Sequence, residues 1–190
     1  MIISNSELIG LNEAELHYRL CIANLDGAKQ LCLDMLDKKY SSSFSHATVI
    51  MSLFHHGVEL FLKYAISRSG KGIPHHHYIR GLLSQYYRIY SGDIFDLQLP
   101  FITEFQGVSP NEVKELLEEE ERKDKNQTDQ MVRYHMDRDG KCWAGDQAFS
   151  PETLPAQIEG LTCRFMAIRQ EIEKVNGQPC AAPDAAEPRR

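Results

Sequence analysis

The sequence predicts an all-α protein, an antiparallel up-and-down bundle of four to five helices. Three observations lead there: long segments carry apolar residues at helical spacing, capping residues stand at their ends, and two of the connections are short. The 190 residues are enough to bury one core. Residues 1–177 read as a single domain, and the Pro/Ala-rich stretch 178–190 as a disordered tail.

The first helix is expected from Asn12 to Lys38. Asn12 is a cap with Glu15 three residues on, and Tyr18, Cys21, Leu25, Ala28, Cys32 and Met35 form one apolar stripe. After a polar break at Ser41–Ser45, a second helix runs from His46 to Ser69. Its buried side is Ile50, Leu53, Phe54, Gly57, Leu60, Phe61 and Tyr64. A glycine in mid-helix is unfavourable, so Gly57 points to a close approach by another backbone. Gly70 and Gly72 end the helix, and Pro74 prevents its return. The third helix is expected from His76 to Tyr90, with Ile79, Leu82, Leu83, Tyr86 and Tyr90 inward.

Residues 93–108 lack clear periodicity and read as a short helix or packed loop. Ser109-Pro110-Asn111-Glu112 then starts a charged helix with a thin stripe of Val113, Leu116 and Leu117. Residues 131–145, with the turn signal Asp139-Gly140, read as a hairpin or irregular insertion that also holds Trp143. The last helix spans Thr153 to Asn176. Leu154, Ile158, Leu161, Phe165, Ile168, Ile172 and Val175 repeat alternately every four and three residues, and Gly177 caps its end.

No apolar run approaches the ~20 residues that a bilayer requires, and the N-terminus lacks the pattern of a signal peptide. No membrane association is therefore expected. The five cysteines include no Cys-x-x-Cys pair, so neither a disulfide framework nor a zinc site is indicated, and a cytoplasmic location is expected. Cys21, Cys32 and Cys163 read as inert core thiols.

A net charge of −6 argues against a dedicated duplex-DNA binder. The charge is unevenly spread, however. Leu60 to Gly92 contains no Asp or Glu but holds Lys63, Arg68, Lys71, Arg80, Arg88 and His75-His76-His77, whereas Glu112 to Asp129 is strongly acidic. Such asymmetry suits an anionic ligand. Tyr78 and Tyr87 are the aromatics in this stretch expected to be open to a stacking base. No Gly-rich phosphate loop, serine-nucleophile elbow or paired Glu-x-x-His motif occurs, and no cofactor is expected.

The segment His55-His56-Gly57-Val58-Glu59-Leu60-Phe61-Leu62-Lys63-Tyr64-Ala65, a Gly-rich loop, and His77-Tyr78-Ile79-Arg80-Gly81-Leu82-Leu83 together resemble the core of the HEPN family. There, a His-x-x-Glu-x-x-x-Lys-Ala helix end is followed by a His-x-Leu-x-x-Leu-Leu helix start. Ile79 replaces the first Leu, and Tyr78 the usual Asp or Ser. Arg133-Tyr134, with Asp137 and Gly140, resembles an Arg-Tyr-Pro stretch of some members, with His135 in place of the Pro.

The resemblance implies a helical bundle, commonly a homodimer, that binds RNA or a nucleotide. It also implies a place in toxin–antitoxin or phage-defence systems, beside an antitoxin or nucleotidyltransferase. Carried onto this chain, the binding residues are Glu59, Lys63, His77, Tyr78, Arg133 and Tyr134. Family ribonucleases are metal-independent and use an Arg-x4–6-His motif, in which Arg stabilises phosphate charge and His moves protons. Arg68 and His75 meet that spacing, although they flank the loop after the second helix rather than opening a late one.

Other readings remain open. Glu59 and Lys63 at i,i+4 suit a structural salt bridge. His55, His56 and Glu59 with His75–His77 could form a metal site, making the chain a metal-binding bundle. The acidic helix at 110–125 could instead engage a protein partner in a non-catalytic interaction module.

Overall fold

The computed structural model describes residues 9–39, 43–100, 109, 111–116 and 149–176, and among these every regular element is helical. Helix α1 spans Glu13–Leu36, α2 Ser43–Arg68, α3 Ile79–Ile89 and α4 Leu154–Asn176. Asn12 caps α1 as expected: its backbone is extended and its side chain accepts the Glu15 amide at 2.8 Å.

Cross-helix contacts give the directions. Glu15 of α1 meets Arg169 of α4 (3.0 Å), Lys29 meets Glu159 (2.9 Å), and the Cys32 thiol donates to the Pro151 carbonyl (3.2 Å). The start of α1 therefore lies by the end of α4, and the two helices run antiparallel. Phe61 of α2 stacks on Phe165 of α4, with ring centroids 3.7 Å apart. Gly57 does what its position predicts. A Cβ there would lie 3.0 Å from Leu25 and 3.3 Å from the Cys21 carbonyl, so α1 and α2 touch closely at this level.

The third helix departs from expectation. Residues 71–78 carry no regular secondary structure, so His76 to Tyr78 precede α3 instead of forming its first turn. This segment makes the return past α2, bringing His77 level with Glu59. Helix α3 then advances until the Tyr90 hydroxyl donates to the Ala65 carbonyl at 2.7 Å, further along α2. The expected antiparallel pairing of α2 with α3 is thus replaced by antiparallel passage of residues 71–78. Ile79, Leu82, Leu83, Tyr86 and Tyr90 are all buried, as their spacing predicts.

Asp93–Phe95 forms a single 3-10 turn, after which Leu97 and Leu99 are buried. Ser109 and Glu112 form a reciprocal capping box (3.0 and 3.4 Å) at the head of a helical stretch over 111–116. Leu117, the expected insertion at 131–145 and the tail at 178–190 lie outside the described residues.

On α4 the stripe from Leu154 through Ile172 is buried. Val175 is instead 76% exposed. Cys163 falls between stripe positions and is exposed, which corrects its reading as a core thiol; Cys21 and Cys32 are buried. Phe44–Arg68 is long and apolar enough to cross a membrane by length and composition, contrary to the expectation from sequence. Its apolarity has another outlet, since 72% of that window is buried against other elements. This is how the core helix of a bundle reads.

Candidate functional site

Helix α2 places Glu59 at the centre of a polar cluster. Its carboxylate is 1% exposed, and burial of a carboxylate demands partners. Lys63, one turn on and itself buried, donates to Oε1 at 2.9 Å. His77 Nδ1 donates to the same oxygen at 2.6 Å, and His56 Nδ1 approaches Oε2 at 3.4 Å. The i,i+3 and i,i+4 spacings set His56, Glu59 and Lys63 on one face of α2.

The three consecutive histidines have three different fates. Tyr78 and His76 both face α3 and pack over Gly81, where a Cβ would lie 2.8 Å from Tyr78 Cδ1 and 3.3 Å from His76 Cε1. His76 is also 3.1 Å from Gln85. His77 turns the other way, onto Glu59. Gly81 thus lets residues 76–78 lie against the first turn of α3, and its spacing in the sequence gave no hint of that role. His75 is exposed and has no partner among the described residues.

Exposure separates the members of the cluster. Glu59 and Lys63 are buried, whereas the His77 side chain is 63% exposed and that of His56 43% exposed. Burial, followed by the Lys63 and His56 charges, holds His77 below the ordinary imidazole range. Burial also lowers Lys63, although Glu13 opposes that shift. From α1, His17 joins the electrostatic group. Burial lowers its pKa, Glu13 works to raise it, and Lys63 and His56 lower it further. Glu13 and His17 stand four apart in sequence, and that spacing was the one available sign of their contribution.

Of the expected binding residues, Glu59, Lys63 and His77 come together. Tyr78 is adjacent, but its ring is spent on Gly81. Tyr87, expected to be open to a base, is buried; its hydroxyl donates to Asp96 (3.4 Å) and accepts from the Leu97 amide (3.2 Å). Arg133 and Tyr134 lie outside the described residues. Arg68 is half-buried at the end of α2, where its charge acts on Tyr64 and Tyr90. Arg68, Arg80 and Arg88 each hold partners of their own, so they form no bare cationic wall.

Among the described residues no group of three or more His, Cys, Asp or Glu side chains is arranged to hold a metal ion. His55, buried on the next position round the helix, does not share the exposed face of His56. A cavity of about 60 Å³ lined by Met51, Phe54, Phe149 and Leu154 is far below the size of a nucleotide site. Chemically, the Glu59 cluster offers oriented imidazoles at a surface, backed by a neutralised carboxylate inside. In comparison with known proteins, the chain matches no family model, no curated protein and no solved structure.

Proposed function

We propose that this chain is a HEPN-like helical protein that binds RNA or a nucleotide where residues 75–78 cross α2. The proposal includes a cytoplasmic homodimer acting in a toxin–antitoxin or phage-defence module, with an antitoxin or nucleotidyltransferase as partner. One observation carries the reading. A buried Glu59–Lys63 pair supports two exposed imidazoles, His56 and His77, and His77 belongs to a stretch free of acidic residues from Leu60 to Gly92. An anionic ligand meets no carboxylate repulsion from that stretch, and the ring nitrogens stand at its surface as hydrogen-bonding groups.

The test is binding of a labelled single-stranded RNA, and separately of ATP, to the full chain. Affinity should fall steeply as salt is raised from roughly 50 to 200 mM, because phosphate contacts release counterions. Absence of binding to both at low salt overturns the proposal. That result would favour an interaction module, for which the exposed Leu33, Leu36, Phe44 and Val49 near the α1–α2 turn are the supporting feature. Sedimentation equilibrium tests the dimer.

A further inference from the structure

We propose that His56 and His77, both tethered to the Glu59 carboxylate, form a two-imidazole site for a divalent ion of the nickel, copper and zinc group, which clasps residues 71–78 to α2. The inference goes beyond the ligand reading above and does not rest on it, because the site is built from these side chains alone.

The tether is what a histidine ligand needs behind it. A ligating imidazole holds metal through one ring nitrogen and donates the proton of the other to a carboxylate or carbonyl, which fixes its tautomer and orientation. Here the carboxylate is in place. An ionised carboxylate only accepts hydrogen bonds, so the His77 Nδ1 at 2.6 Å carries the proton, and the neutral ring holds its lone pair on Nε2. His56 turns the same nitrogen toward the other oxygen at 3.4 Å, which makes Nε2 its outer atom. The His77 side chain is 63% exposed and that of His56 43%, whereas the carboxylate between them is 1% exposed. Two imidazoles that share one anchor are neighbours, and the charge of His56 reaches His77. Glu59 lies too deep to touch the ion, which places it in the outer shell that orients the ligands.

The surroundings select the ion. Lys63 at 2.9 Å matches the Glu59 charge, so an approaching cation meets no unpaired positive charge behind the rings. Neutral imidazoles suit zinc, nickel and copper, whereas magnesium and calcium take oxygen ligands. The protein offers two nitrogens and no more, since no group of three His, Cys, Asp or Glu among the described residues is arranged around a metal. Water fills the remaining positions, so the ion exchanges with solvent and keeps open coordination at the surface. One ligand stands on α2 and the other on the segment before α3. The bound ion therefore adds a second tie between them, beside the His77–Glu59 hydrogen bond.

The experiment titrates nickel(II) into the full chain, carrying no added histidine tag, and follows calorimetry and thermal melting, with magnesium in parallel. A single nickel ion should bind and magnesium should not. The melting temperature should rise with nickel concentration, because the ion favours the folded chain. E59Q, with folding checked by circular dichroism, should weaken nickel by about 10–100-fold through loss of the outer shell. H56A and H77A each remove a ligand, so they should weaken nickel at least as much and abolish the rise in melting temperature. H75A should change neither. Nickel binding that survives H56A, or that H75A abolishes, assigns the ion to the run His75–His77 alone and overturns the proposal. A folded E59Q that binds as tightly as the unaltered chain overturns it too. So does an absence of nickel binding, which leaves RNA affinity measured without metal untouched.

Discussion

Two polar clusters sit in this bundle, and they differ in where their charges end. At one, Arg169 of α4 bonds Glu15 (3.0 Å) and Glu173 (2.7 Å), and its guanidinium lies 4.1 Å from the centroid of the Tyr18 ring. All three charged side chains there are at most 20% exposed, and Arg19 completes the group from α1. At the other, Glu59 and Lys63 are buried more deeply still, yet the network runs outward to His56 and His77. The first cluster closes on itself, tying the start of α1 to the end of α4. The second delivers titratable nitrogens to solvent. Similar ion pairs therefore serve as a strut in one place and as a mount in the other, and what distinguishes them is the exposure of the last group in the chain of contacts.

Breaking each cluster in turn tests the distinction. E59A should have the largest effect, about 3–5 kcal/mol of lost stability, because it strands the buried Lys63 charge. Urea unfolding measures it. If stranding is the cause, the double variant E59L/K63M should recover most of the loss, since apolar replacement of both partners removes the uncompensated charge. A double variant as unstable as E59A would point to lost hydrogen bonds with His56 and His77 instead. R169A should cost less, about 2 kcal/mol, because Glu15 keeps Arg19 and Glu173 lies near the helix end. RNA binding should not change in R169A once the protein is folded.

The sequence carried most of the helical framework. The stripes on α1 and α4, the Asn12 cap and the close contact at Gly57 all follow from periodicity and capping chemistry, which act locally. The direction of α3 was not legible. His76 to Tyr78 have no helix-breaking signature of their own, and their non-helical path depends on Glu59 capturing His77 and on Gly81 admitting Tyr78. The first is a contact between residues 18 apart in the sequence, which no local pattern reveals. Spacing and resemblance singled out Glu59, Lys63 and His77, which the fold brings together, while Arg68 and His75 rest on a spacing rule alone. The burial of Tyr87 illustrates the same limit, because its partner Asp96 sits on a loop without periodicity.

Beyond both clusters along α1, the helices α1 and α2 touch at Gly57. G57A sets two effects against each other. The new methyl would press on Leu25 at 3.0 Å and on the Cys21 carbonyl at 3.3 Å, an overpacking cost of about 1–3 kcal/mol. Alanine in mid-helix returns up to about 1 kcal/mol. A net loss near 1 kcal/mol in urea unfolding is expected, and a stabilised variant would mean that α1 yields there without resistance.

The smallest effect separates the clusters by pH. His17 and His77 both titrate below the unfolded imidazole value of 6.5, with burial the first cause for each. Below that pH the unfolded chain binds protons that the folded chain refuses. Their contribution is therefore whole above pH 6.5 and is lost as pH falls toward the depressed folded values. The slope from His17 is at most about 1.4 kcal/mol per pH unit, and His17 Nδ1, buried without a partner among the described residues, is the better-shielded group. H17Q should leave stability at pH 7 nearly unchanged and flatten its fall between pH 6.5 and 5, whereas H77Q should flatten it less because solvent screens that ring. R169A should leave the imidazole part of the slope intact, since its cluster contains no histidine. A slope reduced by R169A but not by H17Q would place the pH sensitivity in the strut and not in the mount.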